Sequence, residues 1–303
     1  MIRSFASILI VHYNGAEQLR RCLSSLAVQS LPRHRFEVIV LDNASPDGSG
    51  RIVAKEFPWC RFVFSERNLG FAEGNNVAKQ YARGEWLVLL NNDTVADPHW
   101  LEELLNEAEF SSAERVASKL VMEPDGKMIN SGGVVLLRSG WAADDGFRTA
   151  DDGRFEQSQD VFGGCGAALM IRNQSGPIFP KNYFAYYEDV DSAWREQAQG
   201  GTTRYASRAV VKHAVGASAG ERSPLFTFLT DRNRLVTTVK NADPFLAGWA
   251  VLKAIANAAK ALFRFPNRQA VARVQAVLSF VVRLPMTLVQ RYDVRSLAVR
   301  GTR

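Results

Sequence analysis

Asn91-Asn92-Asp93-Thr94 places oxygen-bearing side chains directly after the apolar run Trp86-Leu-Val-Leu-Leu90. A carboxylate at such a junction can hold a hard divalent cation, Mg²⁺ or Mn²⁺, against a diphosphate, because such ions take oxygen ligands. Asn and Asp are also favoured in the turns that follow strands, so the cluster reads equally as an Asx turn. The same event recurs twice upstream. Ser7-Ile-Leu-Ile-Val11 ends in His12-Tyr13-Asn14-Gly15, and Glu37-Val-Ile-Val-Leu41 ends in Asp42-Asn43-Ala44-Ser45. Turn chemistry explains one such exit more easily than three that converge.

Convergence depends on the elements between them. The first strand is followed by a helical stretch with Leu19, Cys22, Leu23 and Leu26 on one face, which makes the order βαβα and the sheet parallel. Parallel strands put their exits on one edge, where open α/β sheets bind ligands. With 303 residues, 47% of them apolar, the chain can bury a large core. The three cysteines, Cys22, Cys60 and Cys165, share no Cys-x-x-Cys spacing. They point to buried thiols in a reducing compartment, and not to a disulfide framework or a zinc site. Met1-Ile-Arg-Ser leads straight into a strand, so no signal peptide is read and a cytoplasmic location is expected.

Charge is unevenly spread. From Pro244 onward there are ten Lys/Arg and one acid, Asp293, whereas the first 243 residues hold 27 basic and 30 acidic side chains. Lys253, Asn257, Lys260 and Arg264 recur at helical spacing among Leu246, Trp249, Leu252, Ile255 and Phe263. A second apolar stretch, Ala276 to Val282, lies between Arg273 and Arg283, with a break expected at Pro285. Interrupted by charge, neither stretch is expected to reach the roughly 20 residues that span a bilayer. Two readings remain open. The tail packs on the rest of the chain or on a second copy of it, as a homo-oligomer, or it is an interfacial anchor for an anionic membrane surface. Nucleic acid is not expected, since no recognition motif accompanies the basic residues.

The ordered motifs resemble family 2 glycosyltransferases, most closely their rhamnosyltransferase-like branch. The likeness is carried by Ser7-Ile-Leu-Ile-Val-His-Tyr-Asn-Gly15, Val40-Leu-Asp-Asn-Ala-Ser45, Arg67-Asn68-Leu69-Gly70 with Gly74-Asn75-Asn76, and Leu90-Asn-Asn-Asp-Thr94. It continues through Asn130-Ser-Gly-Gly133, Gly163-Gly-Cys-Gly-Ala-Ala168, Tyr186-Tyr-Glu-Asp-Val-Asp191 and His213, Gly216 and Ser218. The resemblance implies a GT-A fold over residues 1–243: a Rossmann-like nucleotide-sugar half to about residue 120, then an acceptor half. Residues 244–303 follow as basic amphipathic helices. Two positions depart from the family pattern: Asn91 stands where the metal motif usually begins with Asp, and His12 where Thr is common.

By the same resemblance, His12, Tyr13, Asn14, Asp42, Asn43, Asn68, Gly70, Asn75, Asn91 and Asn92 would line a nucleotide-sugar pocket. Asp42 would accept from the imide of a uracil or thymine ring. Each has a plainer alternative: Asp42 as a helix cap, Tyr13 as core, Asn75 as a cap that also makes a polar contact. Asp93 would bind Mg²⁺ or Mn²⁺, with His213 either a second ligand or a structural histidine at a strand end. Asp189 would be the base that takes the acceptor hydroxyl's proton, with Glu188 as second choice. Both also suit a helix N-terminus for dipole reasons alone. The expected activity is an inverting, metal-dependent transfer of a sugar from a dTDP- or UDP-sugar, dTDP-L-rhamnose foremost. The acceptor is a glycan or polyprenyl-diphosphate-linked sugar at the cytoplasmic face of the inner membrane, in bacterial surface polysaccharide synthesis. The alternatives are a non-catalytic sugar-nucleotide-binding or scaffold protein and a nucleotidyltransferase; the latter should carry a Gly-rich, basic phosphate loop that His12-Tyr-Asn-Gly-Ala-Glu17 is not.

Overall fold

The computed structural model describes residues 5–137, 139–214, 223–264 and 267–301. Gly216 and Ser218 lie outside the described residues. The first half runs β1 (Ala6–His12), α1 (Ala16–Ala27), β2 (Phe36–Asp42), α2 (Ser49–Glu56), β3 (Arg61–Phe64), α3 (Gly70–Lys79) and β4 (Trp86–Leu90). It continues with β5 (Thr94–Ala96), α4 (Trp100–Ser111) and β6 (Arg115–Met122). Short strands β7 (Ile129–Ser131), β8 (Val134–Leu136), β9 (Ala142–Asp144) and β10 (Gln159–Val161) lead to β11 (Ala168–Arg172) and α5 (Glu188–Ala198). Then come β12 (Thr203–His213), α6 (Pro224–Asn241), α7 (Pro244–Arg264) and α8 (Arg268–Gly301).

One sheet organises these elements, in the order β10-β12-β6-β11-β4-β1-β2-β3, with β5 on β12 and β7 on β6. The strands β3, β2, β1 and β4 are parallel, as the βαβα pattern requires. Between β4 and β6 lies β11, antiparallel to both, and β12 is again parallel to β6. Every residue of β4 is buried, the signature of a central strand covered on both faces. Ile8 and Ile10 face a core with α1 and Trp100 of α4; Leu9, Leu87 and Leu89 face the other, with Ala72 and Leu235. The β1–β2 register sets His12 beside Asp42, so the predicted exits do share an edge.

The C-terminal helices differ from expectation. Charge and Pro285 leave both unbroken: α7 spans 21 residues, and α8 runs through Pro285 without interruption. Pro285 removes one helical hydrogen bond, a cost of roughly 3 kcal/mol. Phe280, ahead of it in the helix, packs in the core with Leu235 and Val239, which offsets that cost, and Thr287 bonds back to Arg283 O within α8 at 2.9 Å. By length and composition alone, Pro244–Arg264 and Arg268–Arg291 could each cross a membrane, with mean hydropathies of 1.3 and 1.4. Their inward faces are mostly small, Ala247, Ala250 and Ala258 on α7 and Ala270, Ala272 and Ala276 on α8. Their outward faces carry Phe245, Trp249, Leu252, Phe263, Val282 and Met286, with Phe245 and Phe263 more than four-fifths exposed at 85% and 87%. A helix whose large apolar side chains point away from its protein is inverted relative to an ordinary surface helix.

Candidate active site

The three exits are tied together by side-chain bonds. His12 is fully buried: its Nε2 lies 2.7 Å from Ser49 Oγ and its Nδ1 2.9 Å from Asn92 Nδ2. Asn92 Nδ2 also donates to the Asn14 carbonyl at 3.1 Å, which fixes its amide as the donor. Nδ1 of His12 is therefore the acceptor and Nε2 carries the proton, so the ring is neutral. Burial, the largest effect, depresses its pKa, against the pull of Asp42 and Asp47. His12 thus does not line the pocket as expected; it is an internal strut joining β1, α2 and the end of β4.

Most of the other polar residues are struts as well. Asn43 donates to Asn68 Oδ1 at 3.0 Å and to the Gly70 carbonyl at 3.2 Å, and accepts from Leu69 N at 2.8 Å. Asn68 Oδ1 in turn accepts from Gly70 N at 2.9 Å. Gly70 has a φ of 76°, and a Cβ there would lie 2.4 Å from the Phe184 carbonyl oxygen, so only glycine fits. Asp42 accepts from Ser45 N at 3.0 Å and from the Ser45 hydroxyl, closing the turn after β2 instead of capping α2. Asn75 is inside α3, where its amide donates to Phe71 O at 3.0 Å; it caps nothing. Tyr13 is not core: it is exposed, and Asn14 and Asn91 are half-buried, so these three retain surface a ligand could reach.

Beyond β4 the chain pairs β5 with β12, Thr94 opposite His213, which brings His213 beside Asp93. His213 Nε2 lies 3.3 Å from Asp93 Oδ1, and both side chains are nearly buried. His213 Nδ1 meets Asn130 Oδ1 at 2.7 Å. That bond orients the ring so that Nε2 is directed at the Asp93 carboxylate, the orientation in which an imidazole and a carboxylate can share a metal ion. Among the described residues no group of three His, Cys, Asp or Glu side chains could hold a metal alone. Ligand oxygens must complete any such site, which suits an ion carried by a diphosphate.

The second group of candidate residues lies in and after the loop entering α5. Phe184, Tyr186 and Tyr187 all have φ between 66° and 71°, a strained region for bulky residues. Asn233 of α6 holds the loop there, its Nδ2 donating to the carbonyls of Tyr183, Ala185 and Tyr186 at 3.0, 2.8 and 2.8 Å. Asp191 anchors the next turn through Lys240 at 2.7 Å and Asn241 at 2.8 Å. Glu188 is buried with Oε2 unbonded, and burial followed by the Asp189 charge pushes its pKa far up. Asp189 is half-buried, accepting from Gly166 N at 2.9 Å and Val190 N at 2.8 Å. Burial raises its pKa, against those two bonds and the nearby charge of buried Arg115.

Charge effects link the two groups. Asp144, at the end of β9, is raised to about 6 by burial, opposed by a Ser131 hydrogen bond; the Asp189 charge raises it further and His213 lowers it. Tyr186 likewise feels both Glu188 and Asp93. The Asp93–His213 pair and the Glu188–Asp189 pair are therefore close enough to act on the same groups, Asp144 and Tyr186.

The domain profile for glycosyl transferase family 2 matches residues 7–168, from β1 to the start of β11. The chain belongs to that family. N-acetylglucosaminyl-diphospho-decaprenol L-rhamnosyltransferase of Mycobacterium tuberculosis is 25% identical over 261 residues, covering 75% of this chain and 84% of that protein. Among solved structures, a mannosyltransferase from Pyrobaculum calidifontis in complex with GDP-Man and Mn²⁺ aligns with a TM-score of 0.57 at 16% identity, over 100% of this chain and 88% of that one. GalNAc-T7 with UDP, GalNAc and Mn²⁺ aligns with a TM-score of 0.65 at 14% identity, over 96% of this chain, which spans 58% of that one. These likenesses establish the GT-A fold.

In this family 2 glycosyltransferase the residues missed by sequence reading are those whose role is relational. Asn130 lies in a motif the resemblance picks out, yet only the fold shows it orienting His213. Asp144 sits in an Asp144-Asp145 pair followed shortly by Asp151-Asp152, and nothing in the sequence sets it apart from surface acids. Asn233 carries no local signal at all.

Proposed function

We propose that this glycosyltransferase transfers L-rhamnose from dTDP-L-rhamnose to a glycan or polyprenyl-diphosphate-linked acceptor in surface polysaccharide assembly, with inversion at the anomeric carbon. The observation that supports the reading is the pairing of His213 with Asp93 at 3.3 Å near Asp144, whose carboxyl feels the charges of both Asp189 and His213. The rhamnosyltransferase relative, whose name includes a diphospho-decaprenol acceptor, supports the donor sugar and the acceptor class. Tyr13 and Asn14 would meet the base and ribose, with Asp42 held beneath them by Ser45. Asp93 and His213 would hold Mg²⁺ or Mn²⁺, which when bound offsets the charge that grows on the departing nucleoside diphosphate. Asp189 would take the acceptor hydroxyl's proton; its raised pKa makes it a stronger base than an ordinary aspartate. A base on one side of the sugar and a leaving group on the other favour a single in-line displacement. Hydrolysis and transfer measured across dTDP-, UDP- and GDP-sugars test the donor. Turnover of dTDP-rhamnose above the rest is expected, a UDP- or GDP-sugar preference would reassign it, and inertness towards every donor would return the scaffold alternative.

We further propose that α7 and α8 rest on the anionic cytoplasmic face of the inner membrane. Their outward aromatic and aliphatic side chains and the basic excess after Pro244 support this over a solvated face. Vesicles rich in anionic lipid should bind the protein, shift Trp249 emission to the blue, and release it as salt rises. Lys260 and Arg264 are exposed, and each basic residue near the surface is worth roughly 1 kcal/mol, so reversing both to Glu should weaken binding at least ~10-fold. Indifference to vesicles, together with dissociation of an oligomer in the reversed variant, would make the surface a subunit interface.

A further inference from the structure

A cleft of about 180 Å³ opens between α6, α8 and the segment that ends at Tyr183. Its polar lining includes Arg232, Arg283, Asn182 and Gln290, and no acidic side chain lines it among the described residues. Arg232 is 5% exposed, yet its bonds go only to neutral oxygens: Asn233 Oδ1 at 2.9 and 2.7 Å and the Tyr183 carbonyl at 3.0 Å. Its Nη1 makes no hydrogen bond to the described residues, and neither Arg232 nor Arg283 forms an ion pair among them. Burial first, and then the facing Arg283 charge, bring the Arg232 pKa down to about 10. The Phe228 ring, its centroid 5.1 Å from Arg232 Cζ, offers the guanidinium a π face but no negative charge; a buried guanidinium without a carboxylate, facing a second cation, is stabilised further by an anion, and the planar fork of Arg suits phosphate. The rim carries Val282 and Met286 of α8, 82% and 58% exposed, on the outward apolar face of the C-terminal helices.

We propose that this cleft binds the phosphate or diphosphate group of a membrane lipid, clamped by Arg232 and Arg283, with the hydrocarbon chain leaving over Val282 and Met286. The source of the ligand rests on the membrane reading above; the anion site rests on the two arginines. Arg232 and Asn233 both bond the Tyr183 carbonyl, so an occupied cleft adjoins the strained loop that carries Glu188 and Asp189. A lipid-borne acceptor phosphate held there would enter the active site from the membrane side.

Binding to the full-length protein, with the donor pocket saturated by the nucleotide and Mg²⁺, tests this without reference to sugar transfer. The probes are farnesyl phosphate, below its micelle threshold, and inorganic phosphate. Farnesyl phosphate should bind at least ~10-fold tighter than inorganic phosphate, and Arg283→Gln should weaken it by ~10-fold or more, as expected for losing a charged hydrogen bond. Nucleotide affinity should not move. Gln290→Glu, which sets a carboxylate into the cleft without removing an arginine, should have the same effect and serves if Arg283→Gln does not fold. Farnesyl phosphate affinity unchanged in the folded variants overturns the site. Equal affinity for the two probes overturns the lipid assignment, since the cleft would then take a soluble anion. Sugar-transfer results leave both outcomes untouched, so failure here and failure of the proposed reaction are separable.

Discussion

Asp189→Asn should cut sugar transfer by about a hundredfold or more while leaving donor affinity unchanged. General-base catalysis contributes roughly 10²–10⁴ in rate, and the amide keeps the size of the side chain but cannot take a proton. One of the two bonds to Asp189 is preserved by an amide oxygen directed at Gly166 N; the other, to the adjacent Val190 N, is local. The fold should therefore survive with only a modest shift in melting temperature. The pH profile supplies a second readout. Burial raises the folded pKa of Asp189, so the acid limb of kcat should lie above the ordinary aspartate value of about 3.9, and Asp189→Asn should erase that limb. The same shift has a stability consequence of definite sign. A carboxyl whose folded pKa is raised favours the folded state when protonated, so its contribution is present below the unfolded pKa and is lost as pH rises through the folded one. Loss of thermal stability with undiminished turnover per folded molecule would instead make Asp189 a helix-terminal residue and move the base elsewhere.

How much of this was legible depends on the range of the interaction. The parallel strands and their shared edge follow from local pattern, because an apolar run of five to seven residues flanked by Asn, Asp and Gly has few other solutions. Pattern does not tell which polar side chains at that edge face a ligand. His12, Asn43 and Asn92 look like pocket residues in sequence, but their amides and ring nitrogens are consumed in holding three exits together. Buried polar groups must be satisfied, and at a crowded edge their neighbours satisfy them first. The Asp93–His213 pair spans more than a hundred residues, and only the antiparallel register of β5 and β12 brings the two side chains together. The tail shows the opposite failure. Its charges were visible, and they suggested interruption, yet α8 continues through Pro285, with Phe280 before it packed in the core.

Asp93→Ala should abolish turnover and remove the metal dependence of donor binding. Offsetting the charge on a departing diphosphate is worth several kcal/mol, and each 1.36 kcal/mol is tenfold, so a loss on the order of a thousandfold or more is expected. His213 alone offers one imidazole nitrogen, whose orientation is set by Asn130, and a lone imidazole does not retain Mg²⁺. The fold should persist, since Asp93 lies past the end of β4 and its backbone carbonyl, which the substitution leaves in place, accepts from Ala214 N at 3.0 Å. Asn91→Asp is the complementary change. Asn91 is half-buried and its structural bonds, to Ala167 O at 2.9 Å and from Thr94 Oγ1 at 2.6 Å, are made by its backbone, so a carboxylate can replace the amide without disturbing them. That variant should bind Mn²⁺ at least as tightly as the parent in the presence of nucleotide, measured by calorimetry or by the paramagnetic relaxation of water. Full activity in EDTA would exclude a metal from the reaction, and the proximity of His213 to Asp93 would then be an ion pair that holds β12 to the end of β4.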